Sequence, residues 1–335
     1  MGSNASPGAA ASDCTRLTDI HILTHQASDG STRLELEKSL LFPGGHNAQE
    51  VHRELLEKLL EACLLDSRDD FMVDLDGAFY RVRRDRFVVD GIWYRLRRMS
   101  DEPPRLDSLP SALPGPICEA LMNHELLKGG LVVVVGGPGC GKTTTASATV
   151  VSRLLEFGGI AYTVEDPPEL PLNGRHGRGY CTQSQVAGES TADWVASMRG
   201  ALRSQPVGTS LIMYVGEIRD AECARMMMRA AANGFLVICT AFGTDIISAI
   251  DALLHQIGRE YATSLAHLLR VVVQQSIHNG RLRAEILVSE GPSHPVSALI
   301  RRGELPLLKD EIIQQRNAML ARLGASAKSA PTTAK

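Results

Sequence analysis

At 335 residues the chain is long for one minimal domain and short for three, so two domains of ordinary size are expected. Hydrophobic residues at 44% and charged residues at 22% exclude wholesale disorder, a collagen-like chain and a coiled coil. Lys and Arg number 35 against 38 Asp and Glu, and the resulting charge of −3 provides no global positive field to hold nucleic acid or an anionic membrane.

Residues 1–14 and 324–335 are small and polar and read as disordered tails. From Asn47 to Leu65, apolar residues at 51, 55, 59, 60, 63 and 64 recur on one helical face, with Asn47 and Glu50 spaced as cap and reciprocal partner. The short β-branched or aromatic runs 71–73, 79–82 and 92–96 are separated by Asp76-Gly77 and Asp90-Gly91, which is hairpin chemistry and predicts an antiparallel sheet beside that helix. The prolines and glycine at 103, 104 and 114–116 mark 101–116 as a linker between a domain at 15–100 and one at 117–323. In the second domain, strands at 131–135, 160–164, 211–215, 235–240 and 284–288 alternate with helices near 143–156, 191–204, 221–232 and 246–272. Such alternation predicts a mostly parallel sheet between helices, with its ligand edge at the strands' C-terminal ends.

No apolar run approaches the roughly 20 residues that span a bilayer, and the N-terminus carries no basic segment followed by an apolar one. A chain that is neither secreted nor membrane-spanning is expected. Seven cysteines without a Cys-x-x-Cys pair argue against a disulfide framework or zinc site and fit a reducing cytoplasm. Ten histidines contain no His-Glu-x-x-His, so His52 or His267 reads as a surface or core residue rather than a ligand.

The strongest signal is Gly136-Gly137-Pro138-Gly139-Cys140-Gly141-Lys142-Thr143, which fits G-x-x-x-x-G-K-[ST] and lies between a strand and a helix. The glycines let backbone N–H groups converge on phosphate oxygens, and the helix N-terminus adds partial positive charge. Lys142 reaches the β- and γ-phosphates, and Thr143 offers its hydroxyl to Mg²⁺. The strand 211–215 runs into Gly216-Glu217, an acid suited to the metal. The strand 160–164 runs into Glu165, an acid suited to orienting or deprotonating water.

Taken with residues 163–169, Ala201-Leu202-Arg203 with Pro206, the Val-Gly-Glu-Ile-Arg-Asp block at 215–220 and the Ala-Ala-Ala-Asn-Gly block at 230–234, the loop block 136–145 closely resembles the PilT/VirB11-like secretion ATPase superfamily of type IV pili, type II secretion and type IV secretion. The resemblance spans most of 15–305, including Thr18-Asp19-Ile20-His21-Ile22 at the opening and 281–300 at the close. It implies an α/β chain with a RecA-like P-loop NTPase domain preceded by a smaller PAS-like α+β domain. It implies ATP and Mg²⁺, with Thr144 joining the loop contacts, Glu165 as catalytic base and Glu217 supporting the metal. The arginines matching the family's phosphate-charge sensors are Arg81, Arg95, Arg199 and Arg203. It further implies a homo-hexamer at the cytoplasmic face of the bacterial inner membrane, held there through an inner-membrane platform protein, without sequence-specific nucleic-acid binding.

Two departures stand out. Phe242 occupies the place of the family's histidine after the strand that follows the Gly-Glu-x-Arg-Asp block, so polar signalling from the γ-phosphate through that strand end is lost or rerouted. Residues 205–210 also replace the usual Asp-Pro-Asp with an insertion of about four residues. Seven arginines within 81–98, interleaved with aromatics, fit a nucleic-acid-binding sheet, yet strand alternation also accounts for them. Met226, Met227 and Met228 read as helix packing. Two functions are therefore carried forward: an ATP-hydrolysing motor subunit, and a ring component that binds ATP but hydrolyses it weakly beside another ATPase.

Overall fold

The computed structural model describes residues 17–188, 190–279 and 281–329. The expected tail at 1–14 and the last residues of the second lie outside them. The chain divides into two units, Met1–Glu102 with Asp166–Pro171, and Pro103–Glu165 with Leu172–Lys335.

The first unit runs β1 (Asp19–Gln26), β2 (Thr32–Leu34), β3 (Leu40–Phe42), β4 (His46–Asn47), α1 (Arg53–Leu64), β5 (Asp70–Leu75), β6 (Ala78–Val88) and β7 (Gly91–Arg98). Its sheet is antiparallel, in the order β4-β3-β1-β7-β6-β5, with β2 on β1. The expected hairpin turn forms at Asp76-Gly77, where both residues take positive φ, 52° and 84°. Alternation sends Ile20, Ile22, Val82, Tyr94 and Leu96 onto Leu56, Leu59 and Leu60 of α1. The expected Asn47–Glu50 cap does not form. Asn47 is held in β4 opposite Leu40 and donates to the Glu37 carbonyl, so the Gln49 N–H donates instead to His52 Nδ1 at 3.1 Å.

The opposite face of this sheet carries Arg81, Arg83, Arg95 and Arg97, and each of the seven arginines of the run is either paired or buried. Arg97 pairs with Asp19 at 2.7 Å, Arg95 with Asp85, Arg83 with Asp70, Arg81 with Glu169 at 2.9 Å, Arg86 with Asp69 at 2.7 Å and Arg98 with Asp101 at 3.0 Å. Arg84 points inward, sandwiched between the Phe71 and Tyr94 rings at 5.2 and 5.1 Å, and donates to the carbonyls of Cys63 and Asp66 that end α1. Alternation thus accounts for the arginine run. Burial, then the Arg95 charge, holds His21 on this face below the ordinary imidazole pKa.

The second unit runs α2 (Gly115–Leu121), β8 (Gly130–Gly136), α3 (Lys142–Phe157), β9 (Gly159–Val164), β10 (Gly174–His176), β11 (Gly179–Thr182), α4 (Thr191–Arg203), β12 (Leu211–Val215), α5 (Ala221–Ala232), β13 (Leu236–Ala241), α6 (Ile246–Ile257), α7 (Ala262–Leu268), β14 (Leu269–His278), β15 (Arg281–Val288), α8 (Pro295–Arg302) and α9 (Leu308–Ser329). Its eight strands order as β10-β11-β9-β12-β13-β8-β14-β15, parallel from β11 to β14 and antiparallel at both edges. Helices cover the sheet, so β8 buries all seven residues and reads as an unbroken apolar run. Met226, Met227 and Met228 are buried in the same core, as helix packing requires.

The helix read from Asn47 begins only at Arg53, after β4 and a 3₁₀ turn at Glu50–His52, and three further boundaries differ from those read in the sequence. The helix expected over 246–272 stops at Ile257, and the β-branched run at 271–273 belongs to β14, paired with β8. Leu106 and Leu113, inside the expected linker, are buried within the second unit. Helix α9 continues to Ser329, past 324 where a tail was expected. No helix among the described residues is long and apolar enough to cross a membrane.

Candidate nucleotide site at the rim of the parallel sheet

Parallel register aligns the C-terminal ends of four strands. Val164 of β9 lies opposite Val215 of β12, Val215 opposite Cys239 of β13, and Ala241 opposite Val135 of β8. At about 4.8 Å per strand, the acids following β12 and β9 stand about 10 and 14 Å across the sheet from β8.

The loop after β8 is built by close approach. A Cβ at Gly136 would overlap the carbonyl oxygen of Gln275 on β14, and Gly139 and Gly141 take φ of 69° and 85°, open to glycine at low cost. Lys142 opens α3, and its Nζ donates to the carbonyls of Gly136 at 3.0 Å and Gly137 at 2.8 Å. The same ammonium lies 4.4 Å from the centroid of the Phe242 ring. Pro138 and Cys140 complete the loop, with Cys140 buried and its thiol free. Thr143 and Thr144 are half-buried in the first turn of α3.

Glu165 is buried, and its Oε1 accepts from Gln183 Nε2 at 2.9 Å. Its backbone is fixed on both sides: its N–H donates to Ser184 at 3.3 Å and its carbonyl accepts from Val186 at 2.8 Å. Burial, then the neighbouring Glu165 charge, pushes the Cys181 thiol up to about 12. Gly216 donates to the Val164 carbonyl at 3.0 Å, which sets the turn carrying the half-buried Glu217 beside Glu165. Thr240 ties this turn to β13, because its hydroxyl donates to the Gly216 carbonyl while its own carbonyl accepts from Ile218 at 3.2 Å.

Asp220 then caps α5, accepting from the Glu222 and Cys223 amides, both at 2.9 Å, and from the Thr191 hydroxyl at 2.6 Å. Burial pushes its carboxyl up, but the hydrogen bonds, led by that from Cys223, outweigh it and hold the group below the usual carboxylate range. Arg219 lies over the Trp194 ring at 4.7 Å.

The fold thus gathers the loop, Lys142, Thr143, Thr144, Glu165 and Glu217 at one rim. Arg199 and Arg203 stand four residues apart on the exposed side of α4, with no hydrogen bond or ion pair among the described residues. Arg81 and Arg95 lie in the first unit, paired with Glu169 and Asp85. Sequence reasoning missed Gln183 and Thr240, at or just past the ends of β11 and β13, and Gln275 inside β14. The contacts that tie them to the site, Gln183 with Glu165 and Thr240 with Gly216, span 18 and 24 residues, and Gln275 lies on β14, read partly as helix, so local spacing carried no signal for them. The hydroxyl of Thr143, which hydrogen-bonds to no other described residue, and the Glu217 carboxylate are hard oxygen donors that fit Mg²⁺. No cluster of three or more His, Cys, Asp or Glu able to hold a metal occurs among the described residues, so phosphate and water would supply the remaining ligands.

A strand, a glycine loop and a helix opened by lysine, set in a parallel sheet, define a RecA-like P-loop architecture. Residues 55–285 match the family described as Type II/IV secretion system protein, and the chain belongs to that family. It is 27% identical over 282 residues to the uncharacterized protein YggR of Escherichia coli K12, covering 77% of this chain and 81% of that one. It is 28% identical over 241 residues to the type IV pilus ATPase PilU of Pseudomonas aeruginosa, covering 67% and 59%. Against type II secretion system protein E of Klebsiella pneumoniae the identity is 33% over 246 residues, covering 68% and 47%, so the chain spans about half of that relative's length. Among solved structures, the pilus retraction motor PilT with bound ADP superposes at TM-score 0.66 with 21% identity, covering 96% of this chain and 93% of that one. The ATPase DotB of Legionella pneumophila gives 0.60 with 19% identity, covering 93% and 90%. Family and fold place the chain in the PilT/VirB11-like secretion ATPase superfamily.

Proposed function

We propose that the chain binds and hydrolyses ATP with Mg²⁺, and that six copies close into a ring that moves a pilus, secretion or conjugation machine. The convergence of the Lys142 loop with two acid-tipped strands at one rim supports this best. Lys142 neutralises phosphate charge, and Thr143 and Glu217 hold the metal ion. Glu165, aimed by Gln183, takes the proton of the attacking water. Arg199 and Arg203 are exposed and available to sense phosphate charge, whereas Arg81 and Arg95 must first release Glu169 and Asp85. The ring works from the cytoplasmic face of the inner membrane, docked on a platform protein embedded there. A second function, ATP binding with weak hydrolysis in support of another ATPase, is favoured by Phe242, which stands at the rim with no hydrogen-bonding group on its side chain.

Lys142→Ala should weaken ATP binding at least about 100-fold, because the variant leaves phosphate charge uncompensated. With ATP and Mg²⁺, light scattering should find about 217 kDa, the mass of six 36.2 kDa chains. A monomer that persists at high concentration with nucleotide present contradicts the ring.

A further inference from the structure

Phe242 follows β13, the strand beside β8, and is 56% exposed, so its ring is not part of the core. Its backbone is nevertheless fixed. Thr240, two residues earlier, is bonded to the Gly216 turn, and Gly243 packs so closely that a Cβ there would lie 2.7 Å from Val135. From this fixed backbone the aromatic ring reaches to 4.4 Å from Lys142 Nζ at the rim. The ammonium's other partners are the carbonyls of Gly136 and Gly137.

The negative face of the ring and the oxygens of a phosphate draw on the same positive charge. We infer that Phe242 is a positioning residue that competes with the β- and γ-phosphates for the Lys142 ammonium, and so sets the nucleotide concentration at which the site fills. The inference rests on the ATP site proposed above and adds a determinant of its affinity. A cation–π contact at a partly exposed site is worth a factor of about 3 in binding. Replacing the ring should therefore strengthen nucleotide binding by about that factor. A ring that instead stacked on the nucleotide base would weaken binding when removed.

Calorimetry with a non-hydrolysable magnesium–ATP analogue, and separately with adenosine, distinguishes these roles. The samples are the full chain, Phe242→Leu, and chains with mono-, di- and trifluorinated phenylalanine at 242, which keep the ring's shape while draining charge from its face. Affinity for the analogue should rise stepwise with fluorination to about 3-fold, reach a similar value in Phe242→Leu, and remain unchanged for adenosine. A flat or falling series, or an adenosine shift of equal size, overturns the role of Phe242. Lys142→Ala separates the role of Phe242 from the ATP site itself. If it abolishes binding while the fluorine series is flat, only the Phe242 role fails; if it binds as the full chain does, the ATP site itself fails.

Discussion

The two sheets of this chain use their surfaces in opposite ways. In the first unit one face packs on α1 and the other carries ion pairs across β1, β7, β6 and β5. In the second, helices cover the parallel sheet, β8 is buried throughout, and polar chemistry is confined to the strand ends. A sheet buried on both faces has only its ends and edges to offer a ligand, which is why the loop, Glu165 and Glu217 gather at one rim.

The comparison is sharpest in stability. Leu131→Ala, at a fully buried position near the start of β8, should cost about 2–5 kcal/mol through lost burial and a cavity. Denaturant titration measures this, and a loss below about 1 kcal/mol would mean that the parallel sheet is not the rigid support described.

At the rim the expected effects are smaller. Phe242→His restores a hydrogen-bonding ring and should raise kcat up to about 10-fold, roughly 1.4 kcal/mol in barrier. Because Phe242 is exposed, the melting temperature should stay constant; a drop would show that the ring packs in the apolar layer after all. Gly243 should be left unchanged in that experiment, since a side chain there meets Val135 and Ala249.

Asp220→Ala removes the cap of α5 and should cost about 1 kcal/mol near pH 7. Because the folded carboxyl titrates below its unfolded value, its ionised form contributes stability above the unfolded pKa of about 3.9, and the contribution disappears as pH falls through the folded pKa. The gap between the two proteins should therefore be full at pH 6–7 and close below about pH 4. A gap independent of pH contradicts the role of the carboxylate. The smallest effect is on the charged face of the first unit, where Arg97→Ala, breaking an exposed pair with Asp19, should change stability by less than about 1 kcal/mol.

What was legible in the sequence follows the same division. The run at 131–135 is apolar because β8 is covered on both faces, and the glycines after it match a loop that must approach β14 closely. Asp76-Gly77 announced its hairpin, because a tight turn leaves few choices of residue. β14 was hidden because Leu265, Ala266 and Leu269 continue an apolar helical pattern into the strand. The contacts of Gln183 with Glu165 and of Phe242 with Lys142 span 18 and 100 residues, distances over which local patterning carries no information. The arginine run was ambiguous for a related reason: beside Asp85 within the run, the acids Asp19, Asp70 and Glu169 that pair with it lie on other segments.

Steady-state ATP hydrolysis by Glu165→Gln, beside a nucleotide-binding titration of the same protein, decides whether the acid at the end of β9 acts on water. Glutamine keeps the shape of the side chain but cannot take a proton from water, so binding should remain within about 3-fold of the full chain while turnover falls at least about 100-fold. Undiminished turnover in Glu165→Gln would contradict the assignment of the acid at the end of β9 and, with it, the account of how this rim acts on ATP.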